Sequence, residues 1–205
     1  MAQGRFITLE GGEGAGKSTL ARALADALGG DREIVVTREP GGAPGADAIR
    51  ALLVQGDANR WSVLEEALLF AAARRNHLQQ TILPALARGA WVICDRYYDS
   101  TRAYQVAAGG LSADVLEQLN TLIEAPAPDL TLVLDLETDA GLVRSRGAHV
   151  GEDRFERKGE GFHARVRDEF RAIAAREPTR CLVIDAGQPP DAVLEAALAA
   201  IKARF

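Results

Sequence analysis

Residues Gly11-Gly12-Glu13-Gly14-Ala15-Gly16-Lys17-Ser18 fit the pattern G-x-x-x-x-G-K-[ST]. They follow an apolar run, Phe6-Ile7-Thr8-Leu9, and precede a helix-compatible run from Thr19 to Leu28. Strand, glycine loop and helix in that order form the setting of a phosphate-binding loop. Glycines let backbone N–H groups turn inward around phosphate oxygens, and the helix N-terminus adds a favourable dipole. Lys17 is placed to reach β- and γ-phosphates, and the Ser18 hydroxyl to ligate Mg²⁺. The loop implies a nucleoside triphosphate site and leaves the phosphoryl acceptor open.

A chain of 205 residues with 47% hydrophobic content is long enough for one α/β domain with a sizeable core. A net charge of −5 argues against a nucleic-acid binder held mainly by electrostatics. The start, Met1-Ala2-Gln3-Gly4-Arg5, lacks a signal-peptide core, and no apolar run approaches membrane-spanning length. The two cysteines, Cys94 and Cys181, sit in strand-like runs without metal-ligand spacing. A reduced, cytoplasmic protein with no membrane or nucleic-acid partner is the expectation.

Five short, mostly non-alternating apolar runs read as strands covered on both faces: 5–10, 33–38, 90–95, 129–135 and 180–185. Helical stretches separate them at 17–28, 45–54, 62–88, 100–107, 113–124, 139–146, 160–176 and 190–203. This alternation predicts a five-stranded parallel sheet flanked by helices, doubly wound with right-handed crossovers. Ligands of such sheets bind beyond the carboxyl ends of the strands, where Gly11, Arg38 and Asp95 all fall. No repeat or linker interrupts the chain, so 1–205 reads as a single domain. The charged, glycine-containing segment 144–161 reads as a short lid able to bring arginine to a transferring phosphoryl group.

Two strand-end carboxylates, Asp95 and Asp135, compete to orient Mg²⁺ beside the loop. Asp95 is favoured because a dense polar cluster, Arg96 to Gln105, follows it. On a helix, Thr101 and Tyr104 share a face and offer hydroxyls to a polar ligand edge. All three tyrosines of the chain fall in this cluster, a distribution that argues for a site rather than core packing. Phe70 and Arg74, four apart, pair a flat ring with a forked donor, which suits a nucleobase. Arg38, in Thr37-Arg38-Glu39-Pro40-Gly41-Gly42, is placed to bind an acceptor phosphate bidentately, with Arg50 joining it from the next helix.

Taken together, the loop, the 37–42 turn, Asp95-Arg96-Tyr97 with Ser100-Thr101 and Ala103-Tyr104-Gln105, and Asp153-Arg154-Phe155-Glu156 resemble bacterial thymidylate kinases. Order and spacing match over most of the chain, as far as Ile184-Asp185-Ala186. The resemblance implies a P-loop NTPase fold and a homodimer that phosphorylates dTMP to dTDP with ATP and Mg²⁺. It implies donor contacts from Gly11, Gly12, Glu13, Gly14, Ala15, Gly16, Lys17, Ser18, Thr19, Arg144 and Ala186. Phe70 would stack on thymine, Arg74 would bond its O4, and Thr101 would face the base edge. Tyr104 would occupy the space of a ribose 2′-hydroxyl, and Glu13 would take the 3′-hydroxyl. Arg38, Arg50 and Arg96 would hold the acceptor phosphate, with Ser100 and Gln105 beside them; Ser18 and Asp95 would serve the metal. The loop has no basic residue before Lys17, so the resemblance assigns the transition-state charge to lid arginine, Arg146 or Arg154. Gly147-Ala148-His149-Val150 departs from the pattern where another basic residue is expected. Rival readings are another nucleotide kinase and a P-loop regulatory ATPase; no Asn-Lys-x-Asp guanine motif is present.

Overall fold

The computed structural model describes residues 3–30, 32–145 and 154–205. Five strands form one sheet: β1 (Arg5–Gly11), β2 (Ile34–Arg38), β3 (Trp91–Asp95), β4 (Leu130–Asp135) and β5 (Cys181–Asp185). All neighbours run parallel in the order β2-β3-β1-β4-β5. The central strands are apolar on both faces because helices cover both. Two buried polar residues inside them, Thr8 and Thr131, satisfy each other, Thr8 Oγ1 lying 2.7 Å from Thr131 Oγ1.

On one face, Ile7, Leu9, Ile93 and Leu132 pack against Leu20 and Leu24 of α1 (Lys17–Leu28) and Ala197 and Ile201 of α9 (Pro190–Arg204). On the other, Phe6, Val92 and Cys94 meet Leu78, Ile82 and Ala85, and Val133 meets Val166, Phe170 and Ile173 of α8 (Glu160–Arg176). Burying each large side chain contributes roughly 1.5–3 kcal/mol. Cys94 and Cys181 are free and buried.

The remaining helices are α2 (Pro44–Val54), α3 (Val63–His77), α4 (Leu83–Ala87), α5 (Tyr98–Thr101), α6 (Ala113–Leu122) and α7 (Thr138–Ser145). The span 62–88, expected as one helix, is broken. Ser62 caps α3 through a reciprocal pair with Glu65. Pro84 lacks an N–H and its ring crowds the carbonyl four residues back. The chain widens before it into a π-helical turn, Leu78–Ile82, where the Leu83 N–H reaches the Leu78 carbonyl. The predicted helix 100–107 is likewise α5 followed by a π-helical turn, Arg102–Ala107.

The tyrosine distribution reflects core packing as well as the site: Tyr97 and Tyr104 line the cavity at the strand ends, whereas Tyr98 does not. Tyr97 and Tyr98 pack in the core beside Phe6, with ring centroids 4.9 Å apart for Phe6–Tyr97 and for Tyr97–Tyr98. Tyr104 packs against Phe170 and Phe162. Each ring is buried, and only the hydroxyl of Tyr104 serves the polar cluster described next.

Candidate active site

A cavity of about 540 Å³ opens where the chain leaves β1, β2 and β3. Its lining starts at Glu13 and runs through Thr19, so the phosphate-binding loop forms one end. Gly14 has φ +67°, and a Cβ there would collide with the carbonyl of Gly141 on α7. Gly11 has φ +139° and packs against the carbonyl of Leu134 on β4. Glycine is therefore required at both positions for backbone conformation and for close approach.

Lys17 donates to the carbonyls of Gly11 (3.1 Å) and Gly12 (2.7 Å). Burial, reinforced by the nearby Arg96 charge, pulls its ammonium down to about 8. The Ser18 hydroxyl donates to Asp95 Oδ2 in a short contact. Asp135, the competing strand-end carboxylate, is instead gripped by Arg167 at 2.7 and 3.1 Å and does not line the cavity. The sequence preference for Asp95 thus has a geometric basis.

Arg96 organises the junction between the two ends. Its φ of +69° puts a non-glycine residue in the left-handed region, at a cost of about 1–2 kcal/mol. Its surroundings enforce that backbone: its N–H donates to Leu9 O (2.9 Å). Its guanidinium donates to Gly11 O (2.9 Å), Ser100 Oγ (3.1 Å) and Tyr104 Oη (3.2 Å), and pairs with Glu13 Oε1 at 3.0 Å. The Tyr104 hydroxyl donates to the same Glu13 oxygen at 2.8 Å. Burial pushes the Glu13 carboxyl up, but Arg96, Lys17 and the Tyr104 hydroxyl more than offset it, leaving it at about 2. Glu13 is an anion fixed to accept hydrogen bonds.

Beneath this junction lies Glu10, a fully buried carboxyl that no sequence reading assigned a role. It accepts from the Tyr97 N–H (2.8 Å) and the Ser100 hydroxyl (2.6 Å). Burial, aided by Asp99, raises it to about 8 against the hydrogen bonds and Arg96. An acidic residue ending an otherwise apolar strand was the available signal.

At the far end, Arg74 is buried and aimed. Its Nε donates to Glu39 Oε2 (2.7 Å) and its Nη2 to Thr101 Oγ1 (3.2 Å), while its guanidinium lies over the Tyr97 ring. Glu39 Oε1 lies 3.2 Å from His77 Nδ1, whose Nε2 lies 2.7 Å from Thr37 Oγ1. Phe70 lines the wall, 6.0 Å from the Phe155 ring, which is 5.9 Å from Tyr104. Arg38 and Arg50 line the cavity as well, Arg50 donating to Pro40 O at 2.9 Å.

The cavity therefore brings together Glu13, Gly14, Ala15, Gly16, Lys17, Ser18, Thr19, Arg38, Arg50, Phe70, Arg74, Asp95, Arg96, Ser100, Thr101, Tyr104, Gln105 and Arg144. Gly11 and Gly12 stand behind it as carbonyl acceptors. Ala186 lies behind Arg144, which donates to its carbonyl at 3.3 Å. Arg146 lies outside the described residues. Arg154 does not line the cavity. Its guanidinium is buried, donating to Asp57 O (2.9 Å), Leu53 O (3.2 Å), Ala58 O (3.1 Å) and Glu66 Oε1 (2.7 Å). Phe155, Glu39 and Tyr97 line the cavity without having been given roles from sequence.

A family model described as thymidylate kinase matches residues 9–197. The chain is 54% identical to a thymidylate kinase of Caulobacter vibrioides over 203 residues, covering 98% of this chain and 95% of that one. It is 51% identical to a thymidylate kinase of Rhizorhabdus wittichii, covering 93% of each. A crystal structure of thymidylate kinase from Ehrlichia chaffeensis superposes with a TM-score of 0.79 at 34% identity, covering 97% of this chain and 99% of that one. Sequence and fold agree along nearly the whole length, and the chain belongs to the thymidylate kinase family.

Proposed function

We propose that this chain transfers the γ-phosphoryl group of ATP to dTMP, giving dTDP, with the residues above in the following places. One observation carries the reading. A single cavity has a phosphate-binding loop at one end, a ring-and-guanidinium pair at the other, and Arg96 with Glu13 between them. ATP phosphates lie on the 11–19 loop, with Lys17 toward the β- and γ-phosphates and Arg144 and Ala186 toward the adenine. Thymine stacks on Phe70, with Arg74 at O4 and Thr101 at its edge. Glu13 takes the 3′-hydroxyl, and Tyr104, held against Glu13, fills the place of a 2′-hydroxyl. Arg38, Arg50 and Arg96 hold the acceptor phosphate, with Ser100 and Gln105 supporting them.

An acceptor phosphate is already nucleophilic near neutral pH, so no general base is required. The chemistry is positioning and charge neutralisation. Two anions must meet, and arginines on the acceptor side with Lys17 on the donor side answer their repulsion. The Ser18–Asp95 pair supplies hard oxygen donors of the kind that fit Mg²⁺, which binds few protein ligands and keeps phosphates and waters. Among the described residues no cluster of three or more His, Cys, Asp or Glu could hold a metal alone, so the triphosphate completes the site. When bound, Mg²⁺ neutralises developing charge on the phosphoryl oxygens. Arg154 is committed to Glu66 and three carbonyls, so we assign the transition-state charge to Arg146 and a supporting place to Arg154.

The chain acts as a cytoplasmic homodimer in this reading. Both cysteines are free and buried, and no described helix is long and apolar enough to cross a membrane. Leu64 and Leu68, one turn apart on α3, are half exposed and offer an apolar face to a second copy. Sedimentation of the parent and of Leu68→Glu tests this: the parent runs as a dimer and the variant as a monomer.

An acceptor panel of dTMP, dUMP, dCMP, AMP, GMP and thymidine with ATP tests the reaction. dTMP dominates if the reading holds. Preference for another acceptor, or ATP hydrolysis at full rate without one, overturns it in favour of the rival kinase or ATPase.

A further inference from the structure

Three separate segments converge on one buried carboxylate that does not line the cavity. Glu66 lies on α3 and is 1% exposed. Its Oε1 accepts from Arg154 Nη2 (2.7 Å) and Lys158 Nζ (3.1 Å), and its Oε2 accepts from Gln105 Nε2 (2.8 Å). Each segment also carries one ring of the cavity wall. Phe70 is one helical turn after Glu66, Tyr104 immediately precedes Gln105, and Phe155 immediately follows Arg154. Phe155 sits about equidistant from the other two rings, at 6.0 and 5.9 Å. Arg154 extends the connection to the carbonyls at 53, 57 and 58, between α2 and α3.

A buried carboxylate with two cations and an amide on it has little freedom to move, and neither do the groups that hold it. We propose that Glu66 is a positioning residue for the acceptor base: it fixes Phe70, Tyr104 and Phe155 relative to one another, so the aromatic wall is preassembled. The inference rests on the assignment of that wall to thymine. A purely structural Glu66 would affect stability, and any kinetic effect would fall on both substrates alike.

Glu66→Gln keeps the volume but removes the negative charge that holds the two cations and replaces one accepting oxygen with an NH2. Its KM for dTMP should rise about tenfold with KM for ATP nearly unchanged, the signature of a displaced acceptor site. A double-mutant cycle adds a readout that stability alone does not move. If Glu66 acts through the wall, Glu66→Gln combined with Phe155→Ala raises KM for dTMP no further than Phe155→Ala does. Multiplying effects, or equal changes in both KM values, overturn the proposal. Should Glu66→Gln fail to fold, Lys158→Met, at a partly exposed position, serves in the same cycle with a smaller expected rise of about two- to threefold. An unchanged KM for dTMP in the folded variant overturns this inference alone. Absence of dTMP turnover in the parent chain overturns both it and the proposed function.

Discussion

At the scale of single residues, the site is governed by groups whose charge is fixed by burial and neighbours. Arg96 holds a strained backbone and four hydrogen-bonding partners, and it lines the cavity on the side proposed for the acceptor phosphate. Arg96→Ala should lower kcat/KM for dTMP by about 10²–10³-fold, because the acceptor phosphate loses a charged donor that positions and neutralises it. Steady-state kinetics with a cooperative melting curve as the folding control decide this; near-parental kcat/KM would remove Arg96 from the mechanism. Glu10 makes a different prediction. Its carboxyl is raised from an ordinary 4.5 to about 8. Between those values the folded chain holds a proton the unfolded chain has lost. Its stabilising contribution is therefore full below about pH 4.5 and is lost as pH rises through about 8. Glu10→Gln removes this dependence while keeping an acceptor for the Tyr97 N–H. Its melting temperature relative to the parent should climb from pH 5 to pH 8, about the interval the two values bracket. A difference independent of pH would show that Glu10 does not carry the proton.

At the scale of elements, local pattern and tertiary contact contribute unequally. The glycine loop was readable because its requirement is local: φ values that only glycine adopts freely, at fixed spacing, before a helix. The central strands were readable because burial on both faces demands continuous apolar runs; the edge strands β2 and β5, expected to be covered likewise, leave Val36, Leu182 and Val183 exposed, since each has a neighbour on one side only. The span after α3 was expected as continuous helix, although Pro84 signalled the break, because the residues of the π-helical turn, Leu78–Ile82, are themselves compatible with α-helix. The buried placement of Arg154 was unreadable, since the carbonyls it satisfies at 53, 57 and 58 lie about a hundred positions away in sequence. Tyr98 misled for the same reason: polar neighbours in sequence do not reveal the apolar cluster that covers it, whereas Tyr97 both joins that cluster and lines the cavity. The loop and α7 share one close backbone contact, so Gly14→Ala tests their packing. A Cβ at φ +67° that meets the Gly141 carbonyl strains the loop and displaces α7. Strain of about 1–3 kcal/mol should weaken ATP binding by about tenfold or more. Titration calorimetry would show it, and dTMP affinity, which in the proposed placement draws on Glu13 but mostly on Phe70, Arg74 and the acceptor arginines, should change less. Equal losses at both ends would mean that the two halves of the cavity do not behave separately.

At the scale of the whole molecule, an acidic chain carries a cationic cavity. The net charge is −5, yet seven Lys and Arg side chains and four carboxylates line the site. Like charges gathered in a partly buried space repel one another, and substrate phosphates relieve that repulsion. The cavity wall is drawn from the loop after β1, the ends of β2 and β3, from α1, α2, α3 and α7, from α5 and the π-helical turn after it, and from residues 155 and 156. A ligand filling both ends therefore ties together elements far apart in sequence and should stabilise the fold as a unit. Ligand at a hundredfold excess over its Kd contributes about 2.7 kcal/mol. In a chain of this size that corresponds to a rise of about 5–10 °C in Tm. An ATP–dTMP conjugate with a phosphate linker long enough to span the cavity converts the second binding event into an intramolecular one and binds more tightly than either half. At equal concentration it should raise Tm beyond ATP or dTMP alone, and Arg96→Ala, which weakens the junction between the ends, should shrink that excess. If the conjugate raises Tm no further than ATP, donor and acceptor do not occupy one continuous cavity, and the facing arrangement of Lys17 and the acceptor arginines is not the catalytic one.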